Sequence, residues 1–164
     1  MHSEYEVCSC MEMDIRIRAA RLTDCEGLVQ MFARLWPSLT EEEHAKEVRS
    51  IVDCTAKLTM PIVVLVAEWD EALVGFVEVD LRSHADGCDP AQPAGYVEGW
   101  YVEENFRRAG VGSMLIAAAE EWARGLGCVE MGSDALIENE VSQRAHAALG
   151  YQVVDRCVHF RKKI

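Results

Sequence analysis

Long apolar runs, paired-cysteine motifs and an excess of basic residues are all missing from this chain, and each absence excludes a class of function. No hydrophobic stretch approaches the ~20 residues that a membrane-spanning helix needs, and the first residues lack the charged-then-apolar order of a secretory signal. A soluble, cytoplasmic protein without a membrane partner is expected. The cysteines Cys8, Cys10, Cys25, Cys54, Cys88, Cys128 and Cys157 are odd in number and form neither a CxxC pair nor a zinc-ligand spacing with histidine. They read as reduced thiols, with no metal site. Lysine and arginine total 16 against 28 acidic residues, a formal net charge of −12. Nucleic-acid backbones require concentrated positive charge, so nucleic acid is not an expected partner, whereas cationic substrates fit better.

What is present suits one domain. Half of the 164 residues are hydrophobic, enough for a good core in a chain of this length. Met1–Glu12 carry no periodic pattern and read as a disordered leader, with the folded domain expected over residues 13–164. Ile15–Arg18 alternates as a strand, and Thr23-Asp24-Cys25-Glu26 has the form of a capping box ahead of Leu28, Phe32 and Leu35 at helical spacing. That helix should stop by Trp36-Pro37. A second box, Thr40–Glu43, opens a helix through Val48, Ile51 and Val52. Ile62–Ala67 and Leu73–Leu81 read as a β-hairpin around Trp69-Asp70-Glu71. Ser83–Ala94 is rich in Gly, Pro and Asp, and reads equally as a substrate-facing loop or an exposed connection. The strand Tyr96–Val102, a helix carrying Leu115, Ala119, Trp122 and Leu126, a strand over Val129–Asp134, a helix over Val141–Leu149 and a last strand over Tyr151–Phe160 complete the order β-α-α-β-β-β-α-β-α-β. The fold class is α/β (α+β), a mixed central sheet flanked by helices.

Between the strand ending at Val102 and the next helix lies Asn105-Phe106-Arg107-Arg108-Ala109-Gly110-Val111-Gly112-Ser113. Glycines at 110 and 112 remove Cβ atoms that would keep a phosphate off the backbone, and the first-turn amides of a helix point toward an anion. Val111-Gly112-Ser113 is not the Gly-Lys-Ser/Thr of a P-loop, and a dinucleotide fingerprint would put its third glycine at Leu115. The pattern Arg107-Arg108-Ala109-Gly110-Val111-Gly112 instead resembles the acetyl-coenzyme A loop of the GCN5-related N-acetyltransferases. The element order and Ala148-Leu149-Gly150-Tyr151 extend that resemblance over almost the whole domain. Leu35-Trp36-Pro37, Gly87-Cys88-Asp89, Val97-Glu98-Gly99, Met131–Asp134, Glu138-Asn139, Ser142-Gln143 and His146–Gly150 look like the aminoglycoside 6′-N-acetyltransferases in particular.

The resemblance implies direct transfer from an acetyl-coenzyme A cosubstrate to a cationic aminoglycoside, with no metal, in an enzyme expected to be a homodimer. It assigns Arg107, Arg108, Ala109, Gly110, Val111, Gly112 and Ser113 to the pyrophosphate. Trp100, Tyr101 and Val102 are implied to present backbone groups to the pantetheine arm, and Asn139 to hydrogen-bond that arm, a role compatible with its also capping the helix before Val141. Glu98 is implied to bind and deprotonate the acceptor amine, and Asp134 to hold the cationic drug. Trp36 and Asp155 are implied as further substrate contacts; the aromatic that the group places in the loop after the third strand is not evident between Ser83 and Asp89, where His84 is read as its substitute. His146 stands where many acetyltransferases carry the tyrosine that protonates the leaving thiolate, so the general acid is unassigned. The rival readings are acetylation of another small amine or protein terminus, and a noncatalytic acyl-coenzyme A sensor.

Overall fold

The structure is a computed structural model describing residues 13–56 and 59–163; the expected leader, Met1–Glu12, and the thiols Cys8 and Cys10 lie outside them. Five strands form one sheet in sequence order: β1 (Arg16–Ala19), β2 (Ile62–Trp69), β3 (Ala72–Arg82), β4 (Ala94–Val102) and β5 (Met131–Ser133). The first three pairings are antiparallel, and β4–β5 is parallel. The helices are α1 (Cys25–Leu35), α2 (Glu41–Val52), α3 (Val111–Gly125) and α4 (Glu140–Ala148).

Strand alternation divides the core in two. Val64, Val66 and Phe76 face α1 and α2, where they meet Leu28, Phe32, Val48 and Ile51. Leu65, Ala67, Val77, Val79 and Val97 face α3 and its buried Val111, Leu115, Ile116 and Ala119. Phe32 stacks on Phe76 with ring centroids 4.5 Å apart, and Trp36 meets Phe32 edge-on at 5.0 Å. Such pairs add ~0.5–1.5 kcal/mol beyond their area burial, which anchors the end of α1 against the middle of the sheet.

The local signals explain most boundaries. Thr40 and Glu43 form the expected reciprocal cap of α2. The hairpin turn is Asp70-Glu71, both at positive φ (49° and 62°), the geometry that matches strand twist across a two-residue connection. At α1 the expected box at Thr23 does not form. Asp24 turns instead to Arg18 and the Arg21 amide, and these partners hold its carboxyl below the usual range. A nearly buried ion pair tying the turn to β1 displaces the local cap.

Three further expectations need correction. The strand foreseen over Val129–Asp134 is only three residues long, and Leu126, expected on the buried face of α3, is exposed. The last strand, foreseen over Tyr151–Phe160, does not form: residues 151–163 are irregular, with Val153, Val154, Val158 and Phe160 exposed. No strand among the described residues supplies this stretch with ladder partners, and its valines stay at the surface.

Candidate functional site

Two features of β4 build the site. First, β4 pairs with β5 only at Gly95–Met131, Tyr96–Gly132 and Val97–Ser133, although β4 continues to Val102. Beyond Val97 the strands fork, and the β4 edge from Glu98 to Val102 has no strand on that side among the described residues. Second, the β3 register slips at this point: Val79 pairs with Val97 but Glu78 with Gly99. Glu98 is thus the extra residue of a β-bulge, a device that re-aims a side chain.

The fork leads to the N-terminus of α3. Gly110 is its N-cap with φ 85°, no side chain caps the helix, and its first turn holds no acidic residue. The Met114 amide bonds the Gly110 carbonyl, leaving the preceding amides of the turn without helical acceptors. A Cβ built on Gly110 would meet nothing within 4 Å, so the backbone there is open to approach. Gly112 has another reason to be glycine: a Cβ there would fall 2.5 Å from Trp100 Cζ2. Trp100 Nε1 lies buried against this turn with no acceptor among the described residues. Open amides at the α3 turn and an unpaired strand edge make a donor-rich track that suits a phosphate-bearing, amide-containing chain. Arg107 Nε donates to the Val102 carbonyl at 2.9 Å, fastening the loop to β4.

On the opposite side of the bulge is an acidic group. Glu98 accepts from Arg82 Nε at 2.9 Å and from Nη2. The same guanidinium lies 3.4 Å over the Tyr96 ring, and the Tyr96 hydroxyl donates to Asp134 at 2.8 Å. Asp80 stands 3.9 Å from Arg82 Nε; burial and then the Glu98 charge push its carboxyl up to about 6. Glu78 is buried on the same strand, and burial, reinforced by Glu47, Glu98 and Asp80, pushes it up to about 8. Three carboxylates and one guanidinium therefore gather where β4 and β5 part, with the buried acid Glu78 behind them, an arrangement that can hold a cation and accept a proton from it.

With this geometry in view, the comparisons with known proteins are decisive. Residues 28–151 match the acetyltransferase (GNAT) family model. The chain belongs to the GNAT acetyltransferase family. It is 37% identical over 155 residues to an aminoglycoside N(6′)-acetyltransferase type 1 of Klebsiella aerogenes, covering 94% of this chain and all of that protein. An enzyme of the same name from Serratia marcescens is 40% identical over 131 residues, 79% of this chain and 86% of the relative. Among solved structures, the aminoglycoside N-acetyltransferase AAC(6′)-Iy in complex with CoA superposes with a TM-score of 0.84 at 31% identity, over 93% of this chain and 97% of the other.

Within this acetyltransferase, the residues expected to act are dispersed unevenly. Glu98 and Asp134 are brought together through Arg82 and Tyr96. Trp36 is part-buried and walls the bulge, since a Cβ on Gly99 would run into its six-membered ring; it is both core and site wall. His84 is exposed, 3.8 Å from Asp86, and lines an open cavity with Asp80 and Arg82. Asp155 sits in the exposed tail, accepts from the Arg156 amide and makes no hydrogen bond to either carboxylate. Asn139 caps α4 by accepting from the Ser142 amide at 3.1 Å. His146 has both ring nitrogens engaged, Nδ1 with the Ser142 carbonyl at 2.8 Å and Nε2 with Ser133 Oγ at 2.9 Å. It braces α4 to β5. The sequence reading missed Glu78, Asp80, Arg82 and Tyr96. The signal was available: charges at 78, 80 and 82 lie on one face of a strand whose other positions are apolar, a pattern that costs free energy unless the face is used.

Proposed function

We propose that this acetyltransferase moves the acetyl group of acetyl-coenzyme A onto the 6′-amine of aminoglycoside antibiotics, conferring resistance. The observation that carries the reading is the assembly of Glu98, Asp80 and Asp134 at the β4–β5 fork, beside the donor track that leads to α3. Relatives of known name point the same way, including AAC(6′)-Iy bound to a bisubstrate analogue, CoA-S-monomethyl-acetylneamine.

The coenzyme supplies an activated acyl thioester. Residues Arg107–Ser113 hold its pyrophosphate on the open α3 amides, and Trp100–Val102 hold its arm along the unpaired β4 edge, with Asn139 as a further polar contact. Glu98 and Asp134 seat the ammonium groups of the drug, Trp36 gives the sugar ring an apolar wall, and His84 and Asp155 are outer contacts from the loop and the tail. Glu98 takes the proton of the reacting amine, so that nitrogen presents a lone pair to the acyl carbon. The new C–N bond forms as C–S breaks, and the sulfur leaves as a thiolate that takes up a proton. Acetylation removes one positive charge and a strong donor from the drug, which weakens its hold on RNA phosphates.

The domain spans residues 13–164 and works in the cytoplasm. It functions as a homodimer, for which the exposed Val153, Val154, Val158 and Phe160 of the tail provide apolar surface. The test is a comparison of kanamycin and tobramycin, which offer a 6′-amine, with paromomycin, which carries a hydroxyl there, using mass spectrometry to locate the added group. Efficient turnover of the amines alone is expected. Equal acetylation of both classes, or acetylation at another ring amine, would overturn the assignment.

A further inference from the structure

The carboxylate assigned to the acceptor amine already holds a cation of the protein's own. Arg82 meets Glu98 through Nε at 2.9 Å and through Nη2, and its guanidinium covers the Tyr96 ring at 3.4 Å. Both donors share Oε1, so a protonated amine on Glu98 would either need that oxygen or sit at Oε2 beside the guanidinium and be repelled by it. Arg82 also has another place to go. It borders an open cavity of about 330 Å³ whose walls include Asp80, Ser83, His84 and Met60. Asp80 Oδ1 is 3.9 Å from Arg82 Nε and has no hydrogen-bond partner among the described residues. A rotation of the Arg82 side chain toward that cavity exchanges one carboxylate for another without stranding a buried charge.

Resting on the function proposed above, we infer that Arg82 is a displaceable internal cation: it occupies the acceptor-ammonium seat on Glu98 when the site is free and moves onto Asp80 when a polycation binds. The pair balances the Glu98 charge at rest, and any acceptor must compete with a guanidinium that donates twice to Glu98 Oε1. Monocations that engage Glu98 alone compete poorly, whereas a polycation gains compensating contacts at Asp134. Arg82 is in this sense a specificity-determining residue.

The experiment measures binding of kanamycin and, separately, spermidine to the full chain with coenzyme A present, together with steady-state acetyl transfer, for wild type, R82Q and R82K. Removing a charge-assisted competitor should tighten cation binding on the order of tenfold in R82Q, lowering KM. R82K should restore the weaker, wild-type KM. No gain in binding of either cation by R82Q overturns the inference. So does a fall in kcat at constant KM, which would make Arg82 a residue that merely positions Glu98. If R82Q does not fold, a crystal structure of the wild type with kanamycin decides: the Arg82–Glu98 pair must be broken, and an intact pair refutes displacement. Failure of the wild type to acetylate the 6′-amine strikes the functional proposal instead, since the binding measurements need no turnover.

Discussion

Glu78 offers a test whose magnitude follows from burial. Only 6% exposed on β3, its carboxyl ionises at about 8 rather than at the ordinary 4.5, chiefly because burial disfavours the charge and also because Glu47, Glu98 and Asp80 repel it. The fold therefore prefers the neutral acid. Below the unfolded value Glu78 is protonated in both states and imposes no penalty. As pH rises toward 8, the unfolded chain gains increasingly from ionisation, and stability falls by ~1.4 kcal/mol per pH unit, reaching ~5 kcal/mol once the folded form also ionises. Glu78→Gln removes the charge at nearly constant volume. Urea denaturation across pH 5–9 should show wild type and variant converging toward the acid end, with the variant ahead by ~3 kcal/mol at pH 7 and more at pH 9. Asp80, raised to about 6 by burial and Glu98, adds a smaller loss at lower pH that persists in the variant. Parallel stability profiles for the two proteins would refute the reasoning, because a buried acid that is free to ionise contributes no such slope.

Other expectations concern the site. Gly110→Glu should abolish coenzyme binding measured by calorimetry, because φ of 85° strains any side chain and a carboxylate would face the anion; unchanged affinity in the folded variant would remove the pyrophosphate assignment. Glu98→Gln should cost on the order of 10²–10⁴-fold in kcat with coenzyme affinity retained, and near wild-type kinetics would exclude Glu98 as the base. Asp134→Asn should weaken turnover of cationic acceptors while keeping an oxygen that can accept the 2.8 Å hydrogen bond from the Tyr96 hydroxyl; an unaltered KM would dismiss it as an acceptor contact. Gly99→Ala should raise the acceptor KM and destabilise by ~1–3 kcal/mol through overpacking against Trp36, and thermal melts should show part of that cost relieved in a Gly99→Ala/Trp36→Leu double variant.

Much of this protein is legible in its sequence because the controlling interactions are local. The Thr40–Glu43 box, the period-two runs from Ile62 to Leu81 and the glycine at 110 act within one turn or one strand, and each produced the expected element. The donor track at α3 followed for the same reason, since helix amides and a positive φ are properties of a few consecutive residues. Long-range partners decided the rest. Asp24 abandoned a local cap for Arg18, a strand pattern at Tyr151–Phe160 found no ladder, and His146 took partners from both α4 and β5. The acidic group around Glu98 belongs to this second kind: Glu98 is re-aimed by a bulge defined only by the β3 register, and Arg82 reaches it from the neighbouring strand, 16 residues earlier in the chain. Periodicity shows that a charged residue lies on a given face of a strand, but which opposite charge shares that face depends on the pairing of strands, and that only the folded sheet sets.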